Sequence, residues 1–176
     1  ALWRRGEAPT ALHNNCSGKH AGLLLACRLF GFSPKGYQEA AHPIQREILL
    51  RLSAWTGVPK GWIGIAGDGC SLPLFLLPLA ALARGYPRLV SPSAGPFAAR
   101  LTRAMWERPE MMAGSGRFTT DFLRAGRGRW IGKEGAEGVY AIGIRAARAG
   151  GESVGLAFKI EDGSTRARDA VSLALL

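Results

Sequence analysis

The 176-residue sequence predicts an α+β fold of the layered α/β/α kind, an antiparallel sheet flanked by helices. Three observations carry that expectation. Apolar residues recur at helical spacing through much of the chain up to Ala125. Three β-type runs then follow, 129–133, 138–145 and 153–160, and the last two are joined through Gly150-Gly151. Such short connections require antiparallel neighbours. A final segment, 165–176, reads as a helix, and helices laid on a sheet make a layered mixed fold. At this length one domain with one sizeable core is expected, and no internal repeat or low-complexity linker interrupts it.

Taken in order, residues 1–12 read as irregular, with Gly6 and Pro9 breaking any periodicity. A first helix is expected over Ser17 to Phe30, with Gly31 as its left-handed stop. A second follows Pro43, with Ile44, Ile48, Leu52 and Trp55 as one core stripe and Gly57 at its end. Trp62 to Ala66 reads as a short extended segment running into a turn, Gly67-Asp68-Gly69-Cys70. Pro73 is expected to open an apolar helix to about Arg84, closed by Gly85 and kinked or split at Pro78. Another helix is expected from near Pro96 to before Pro109, with Phe97, Leu101 and Met105 on one face. Thr120 to Ala125 reads as a brief further turn of helix. Asp162-Gly163 turns the chain into the closing helix, with Val171 and Leu175 inward.

Composition excludes some functions. The net charge of +10 comes mostly from arginine, 18 of the 23 basic residues, scattered in ones and twos from Arg4 to Arg168. A nucleic-acid footprint concentrates charge on one face and interleaves aromatics, so no nucleic acid is expected as a partner. No run is long and apolar enough to span a bilayer, and the most hydrophobic stretch, Leu72 to Ala83, contains two prolines. Three cysteines without secretory features point to reduced thiols and a cytoplasmic location. Cys27, among Leu25, Ala26 and Leu29, reads as a core residue. Cys16 and Cys70, flanked by Gly, Ser and Asp, do not.

The polar stretch His13-Asn14-Asn15-Cys16-Ser17-Gly18-Lys19-His20 stands in front of Leu23-Leu24-Leu25, the pattern of a helix whose first turn faces a site. Helical spacing brings Cys16, Lys19 and His20 near one face. Cys16 and Cys70 could be thiolate ligands of one zinc ion, with the set completed by His20 or Lys19. Histidine is the usual choice, because a lysine amine must first lose its proton. The rival is a cysteine nucleophile with Lys19 or His20 as its base, which leaves Cys70 unexplained. The bland reading is a buried cysteine beside a solvated lysine. Lys133 stands at the end of a predicted strand before Glu134-Gly135-Ala136, where glycine lets backbone N–H groups approach a substrate closely. An edge-strand lysine with a hairpin behind it reads equally well.

Four stretches in order resemble one family. His13 to Gly22, Asp68-Gly69-Cys70, Lys133 to Val139 and Gly155 to Gly163 with Arg166-Ala167 are together similar to the asparaginase II family, the Rhizobium-type L-asparaginases. The resemblance implies a fold like that of serine β-lactamases and glutaminases. It implies hydrolysis of the side-chain amide of L-asparagine to aspartate and ammonia through a serine acyl-enzyme. It implies zinc as cofactor on Cys16, Lys19 and Cys70, so lysine is preferred over His20 as the third ligand. Lys133 matches the strand lysine that relays protons beside the nucleophilic serine. Asp68, His20 and the backbone at Gly135 and Ala136 are then expected to serve the substrate or the ligands.

The chain departs from the family pattern in two places. Ser71 stands where the family has glycine after the second cysteine. No Ser-x-x-Lys nucleophile motif occurs in the 176 residues, so the chain is expected to be roughly the C-terminal half of such an enzyme, part of a single domain. A glutaminase-like amidohydrolase of the same fold and a metal-stabilised binding protein without catalysis are the alternatives. A homodimer is a candidate assembly.

Overall fold

The computed structural model describes residues 2–148 and 150–176, with Trp3 described by its backbone alone. The chain divides into two compact units, Ala1–Leu76 and Leu77–Leu176.

The first unit holds two helices and a hairpin. Helix α1 spans Ser17–Phe30 and stops where Gly31, at φ 71°, folds its N–H back onto the Arg28 and Cys27 carbonyls. Helix α2 spans Pro43–Thr56; the His42 side chain accepts the Ile44 N–H at its start, and Gly57 at φ 74° ends it. Both boundaries match the sequence reading. The expected α2 stripe is only partly core: Ile44 is buried, Ile48 and Leu52 are half-buried and Trp55 is exposed. Cys27 is fully buried, as its apolar neighbours suggest.

Strands β1 (Gly64–Gly67) and β2 (Pro73–Leu76) pair antiparallel, Gly67 opposite Pro73. This corrects the helix expected from Pro73. The Asp68–Ser71 turn reverses the chain, and the apolar run that follows pairs with the segment just before it. Proline is tolerated at the first residue of a strand, and Pro73 sits there. Buried Leu72 anchors the reversal, and the Asp68 N–H donates to its carbonyl at 2.8 Å.

The second unit begins with helix α3, Leu79–Val90, which starts after Pro78 and runs through Gly85 and Pro87 rather than stopping at Gly85. Helices α4 (Gly95–Glu107), α5 (Glu110–Ala113) and α6 (Phe118–Gly126) follow. Strands β3 (Trp130–Glu134), β4 (Val139–Ile144) and β5 (Val154–Lys159) form an antiparallel sheet in that order, and α7 (Thr165–Ala174) closes the unit. Side chains alternate across the sheet. Ile131 packs with Val90, Met105 and Leu123 on one face, while Tyr140 and Ile142 pack with Phe122 on the other. On the first face, the register sets Ile131, Gly143 and Gly155 side by side. A Cβ at Gly143 would stand 2.8 Å from the Tyr86 carbonyl oxygen, and one at Gly155 would collide with the Ala83 carbonyl. The α3 backbone therefore lies directly on the strands.

Two expected faces are rotated. In α4 the buried residues are Ala98, Thr102 and Met105, while Phe97 and Leu101 are exposed. The smaller side chains face inward and the helix packs closely. In α7 the inward residues are Arg168 and Ser172; Val171 is half-buried and Leu175 exposed. Arg168 satisfies its charge on Asp169 at 2.8 Å and lays its guanidinium 5.8 Å from the centre of the Tyr140 ring. Among the described residues no helix is long and apolar enough to cross a membrane.

Candidate metal centre

Local backbone chemistry places the first cluster. The Asn14 side-chain oxygen accepts the Cys16 N–H at 2.7 Å, and the Cys16 carbonyl accepts the His20 N–H at 3.0 Å. Cys16 is thus fixed as the residue before α1, with Lys19 in the first turn. The hairpin supplies the other half. Asp68 accepts the Gly69 N–H on its carboxylate at 2.7 Å, and its carbonyl accepts the Ser71 N–H at 2.9 Å. Ser71 closes this turn at φ 68°, a left-handed conformation that glycine adopts freely and serine does not. The sequence departure from the family glycine therefore falls on a strained position.

One sulfur each from Cys16 and Cys70 and an oxygen of Asp68 lie within 4.8 Å of one another, all half-buried. The Lys19 ammonium donates to Asp68 Oδ2 at 2.8 Å, and the Cys70 thiol lies 3.5 Å from the same oxygen. Two thiols and a carboxylate or amine are a donor set that suits zinc, and the spacing is close enough for one ion. The residues present fit the group.

The electrostatics couple these side chains. Burial, together with a hydrogen bond to Cys70, pushes the Cys16 thiol up, while the Lys19 charge pulls it down less strongly. Burial alone would lower Lys19, but hydrogen bonds to Asp68 and Cys70 leave it above the ordinary lysine value. Asp68 is held below the ordinary carboxylate value by Lys19, then by Cys70 and the Gly69 N–H. In this arrangement Lys19 is a cation and Asp68 its anion, so a metal that takes the lysine nitrogen must expel a proton.

His20, the other candidate third ligand, is not in the donor group. Its Nδ1 lies 2.6 Å from the Tyr37 hydroxyl, with the two rings edge to face. Both line a cleft of about 510 Å³ together with Asn14, Ser17, Leu24 and Cys70. Tyr37 escaped the sequence reading because it sits in the irregular segment between α1 and α2, where no periodicity predicts its neighbours.

Lys133 belongs to the second unit. It lies on β3 opposite Ala141, half-exposed, and donates to the Glu134 carbonyl at 2.8 Å. The β3–β4 connection is tight: the Gly135 N–H donates to the Val139 carbonyl at 2.9 Å, and Ala136 accepts from Val139 at 3.3 Å. The Gly135 N–H is engaged within the hairpin.

Comparison with known proteins adds one finding. A family model described as L-asparaginase II matches residues 1–176. No curated protein matches the chain at a significant level.

Proposed function

Because the chain belongs to the L-asparaginase II family, we propose that it is the metal-binding part of an L-asparaginase. The reaction is hydrolysis of the side-chain amide of L-asparagine to L-aspartate and ammonia. The observation that carries this reading is the convergence of Cys16, Asp68 and Cys70 with Lys19 on Asp68. An amidohydrolase family and a soft-metal donor set coincide in one short stretch and one turn.

Cys16, Lys19 and Cys70 would hold zinc, with Asp68 orienting Lys19. Bound there, zinc supplies a fixed positive charge that orients the substrate. Asp68 and His20 serve the substrate beside it. The nucleophile is a serine from outside these 176 residues. Its Oγ attacks the amide carbon, ammonia leaves, and water hydrolyses the acyl ester to release aspartate. Lys133 carries the serine proton to the departing nitrogen, and backbone N–H groups hold the oxyanion. The antiparallel sheet with helices on both faces supports a serine β-lactamase-like fold for the intact domain. The thiols suit a reducing, cytoplasmic setting.

The intact protein tests this directly. Asparagine hydrolysis should vanish in Lys133→Ala, and normal turnover in that variant removes Lys133 from the mechanism. Equal concentrations of asparagine and glutamine decide the substrate: a preference for glutamine makes the enzyme a glutaminase, and turnover of neither makes the chain a binding protein. Cys70→Ala should lower zinc content and raise KM more than it lowers kcat.

A further inference from the structure

Cys16 and Cys70 lie far apart in the sequence, yet the fold brings their sulfurs together. The Cys16 thiol is hydrogen-bonded to Cys70, and the two sulfurs lie within 4.8 Å of each other. Each backbone is fixed on its own account. Cys16 stands before α1 with its N–H on the Asn14 side chain, and Cys70 stands in the turn that the Asp68 carbonyl closes on the Ser71 N–H. The remaining approach to the about 2.0 Å of a disulfide is a local one. Both side chains are half-buried, so a small solute reaches them, whereas Cys27 is fully buried within α1.

From this placement we propose that Cys16 and Cys70 form a redox-modification site: with no metal bound, hydrogen peroxide joins them in a disulfide, and that bond takes away both sulfurs that zinc would use. One thiol sulfur attacks a peroxide oxygen, the O–O bond breaks, and water leaves as the sulfur becomes a sulfenic acid. The second sulfur attacks the first, the S–O bond breaks, and a second water carries off the hydroxyl and the remaining thiol proton. Two thiols lose two electrons and two protons, and one peroxide becomes two waters. Sulfurs held by zinc are not free for the first attack. Metal and oxidant therefore exclude each other at one pair of atoms. No step uses L-asparagine, so the inference stands apart from the asparaginase reading.

The test uses the whole chain, stripped of metal or loaded with zinc, and reads its products by non-reducing peptide mass spectrometry. Hydrogen peroxide should give the metal-free chain a Cys16–Cys70 cross-link, with the linked peptide two hydrogens lighter than its reduced halves and Cys27 still a thiol. That form should bind no zinc until dithiothreitol reopens the bond. At a free zinc concentration of about 100 Kd only about one chain in a hundred lacks metal, so cross-linking should slow about a hundredfold. Equal rates with and without zinc overturn the proposal. So do a cross-linked chain that binds zinc normally and a sulfinic acid in place of the cross-link. A parallel reaction in urea separates native placement from chance pairing. In the unfolded chain Cys27 is the nearer partner of Cys16, and the shorter loop favours that pair about tenfold over Cys16–Cys70. Finding Cys16–Cys27 as the main product of the folded chain would overturn the proposal as well, and Cys70→Ser should leave no internal cross-link.

Discussion

The two units are held together by different means. In the second, Tyr140, Leu123, Ile131 and Ile142 are at most 1% exposed and form apolar clusters on both faces of a sheet. In the first, Leu29 is 78% exposed and Trp62 82%, and its two halves meet at a polar node of Cys16, Lys19, Asp68 and Cys70. An apolar core is indifferent to solutes, whereas a node of thiols and charges responds to metal, oxidant and acidity. All three cysteines lie in the first unit, so thiol chemistry with a metal or an oxidant can enter the chain only there.

The largest expected effect breaks the second unit. Ile142→Ala removes most of a fully buried side chain and should cost about 2–5 kcal/mol, read as a lowered denaturation midpoint. Zinc binding by the first unit should survive that change; its loss would show that the two units fold as one. Metal acts on the other side of the comparison. At a free zinc concentration of about 100 Kd, the stabilisation should be about 2.7 kcal/mol. Slowed hydrogen exchange should be confined to α1 and the β1–β2 hairpin.

Proton counting sharpens the ligand set. Calorimetry in buffers of different ionisation enthalpy should find about three protons released per zinc at neutral pH, two from thiols and one from Lys19. Release of about two would make Asp68, not Lys19, the third ligand.

Alkali probes the apolar unit. Burial, and then the Glu134 charge, push the Tyr86 phenol up to about 12 from an ordinary value of 10.0. The folded state therefore keeps a proton that the unfolded state loses. Its contribution is complete below pH 10 and should disappear as pH rises from 10 toward about 12. Alkaline melting curves of Tyr86→Phe should lack that component. The smallest effect is local: Ser71→Gly relieves the left-handed serine and should stabilise the hairpin by about 1 kcal/mol.

Some of this architecture was legible because local chemistry decides it. Gly31 and Gly57 end their helices, Pro43 begins one, and short glycine turns force β3, β4 and β5 to be antiparallel. Pro73 to Leu76 misled because a short apolar run has no periodicity of its own, and its partner strand lies across a turn. On α4, weighting the large residues points to the wrong face. Phe97 and Leu101 are bulky, yet Ala98 and Thr102 let the helix come close. No sequence pattern marks the burial of Arg168, because only tertiary contacts, Asp169 beside it and the Tyr140 ring under it, make that burial tolerable. At the site, Cys16, Lys19, Asp68 and Cys70 were named from their motifs, but nothing in the spacing says that Lys19 meets Asp68. Tyr37 was invisible, since its contact with His20 depends on how an irregular segment folds back.

The contact of α3 with the sheet has a consequence for the substitutions this protein can accept. At Gly143 and Gly155 the obstacle to a side chain is main chain, the carbonyls of Tyr86 and Ala83, which cannot rotate aside as a side chain could. Compensation by a second substitution is therefore closed at both positions, because no replacement at 83 or 86 removes a carbonyl. A saturation library selected for folding should come back with these two sites unchanged, while Phe97 and Leu101 nearby drift freely. Two glycines with no part in chemistry would then look, in any alignment, as constrained as a catalytic group.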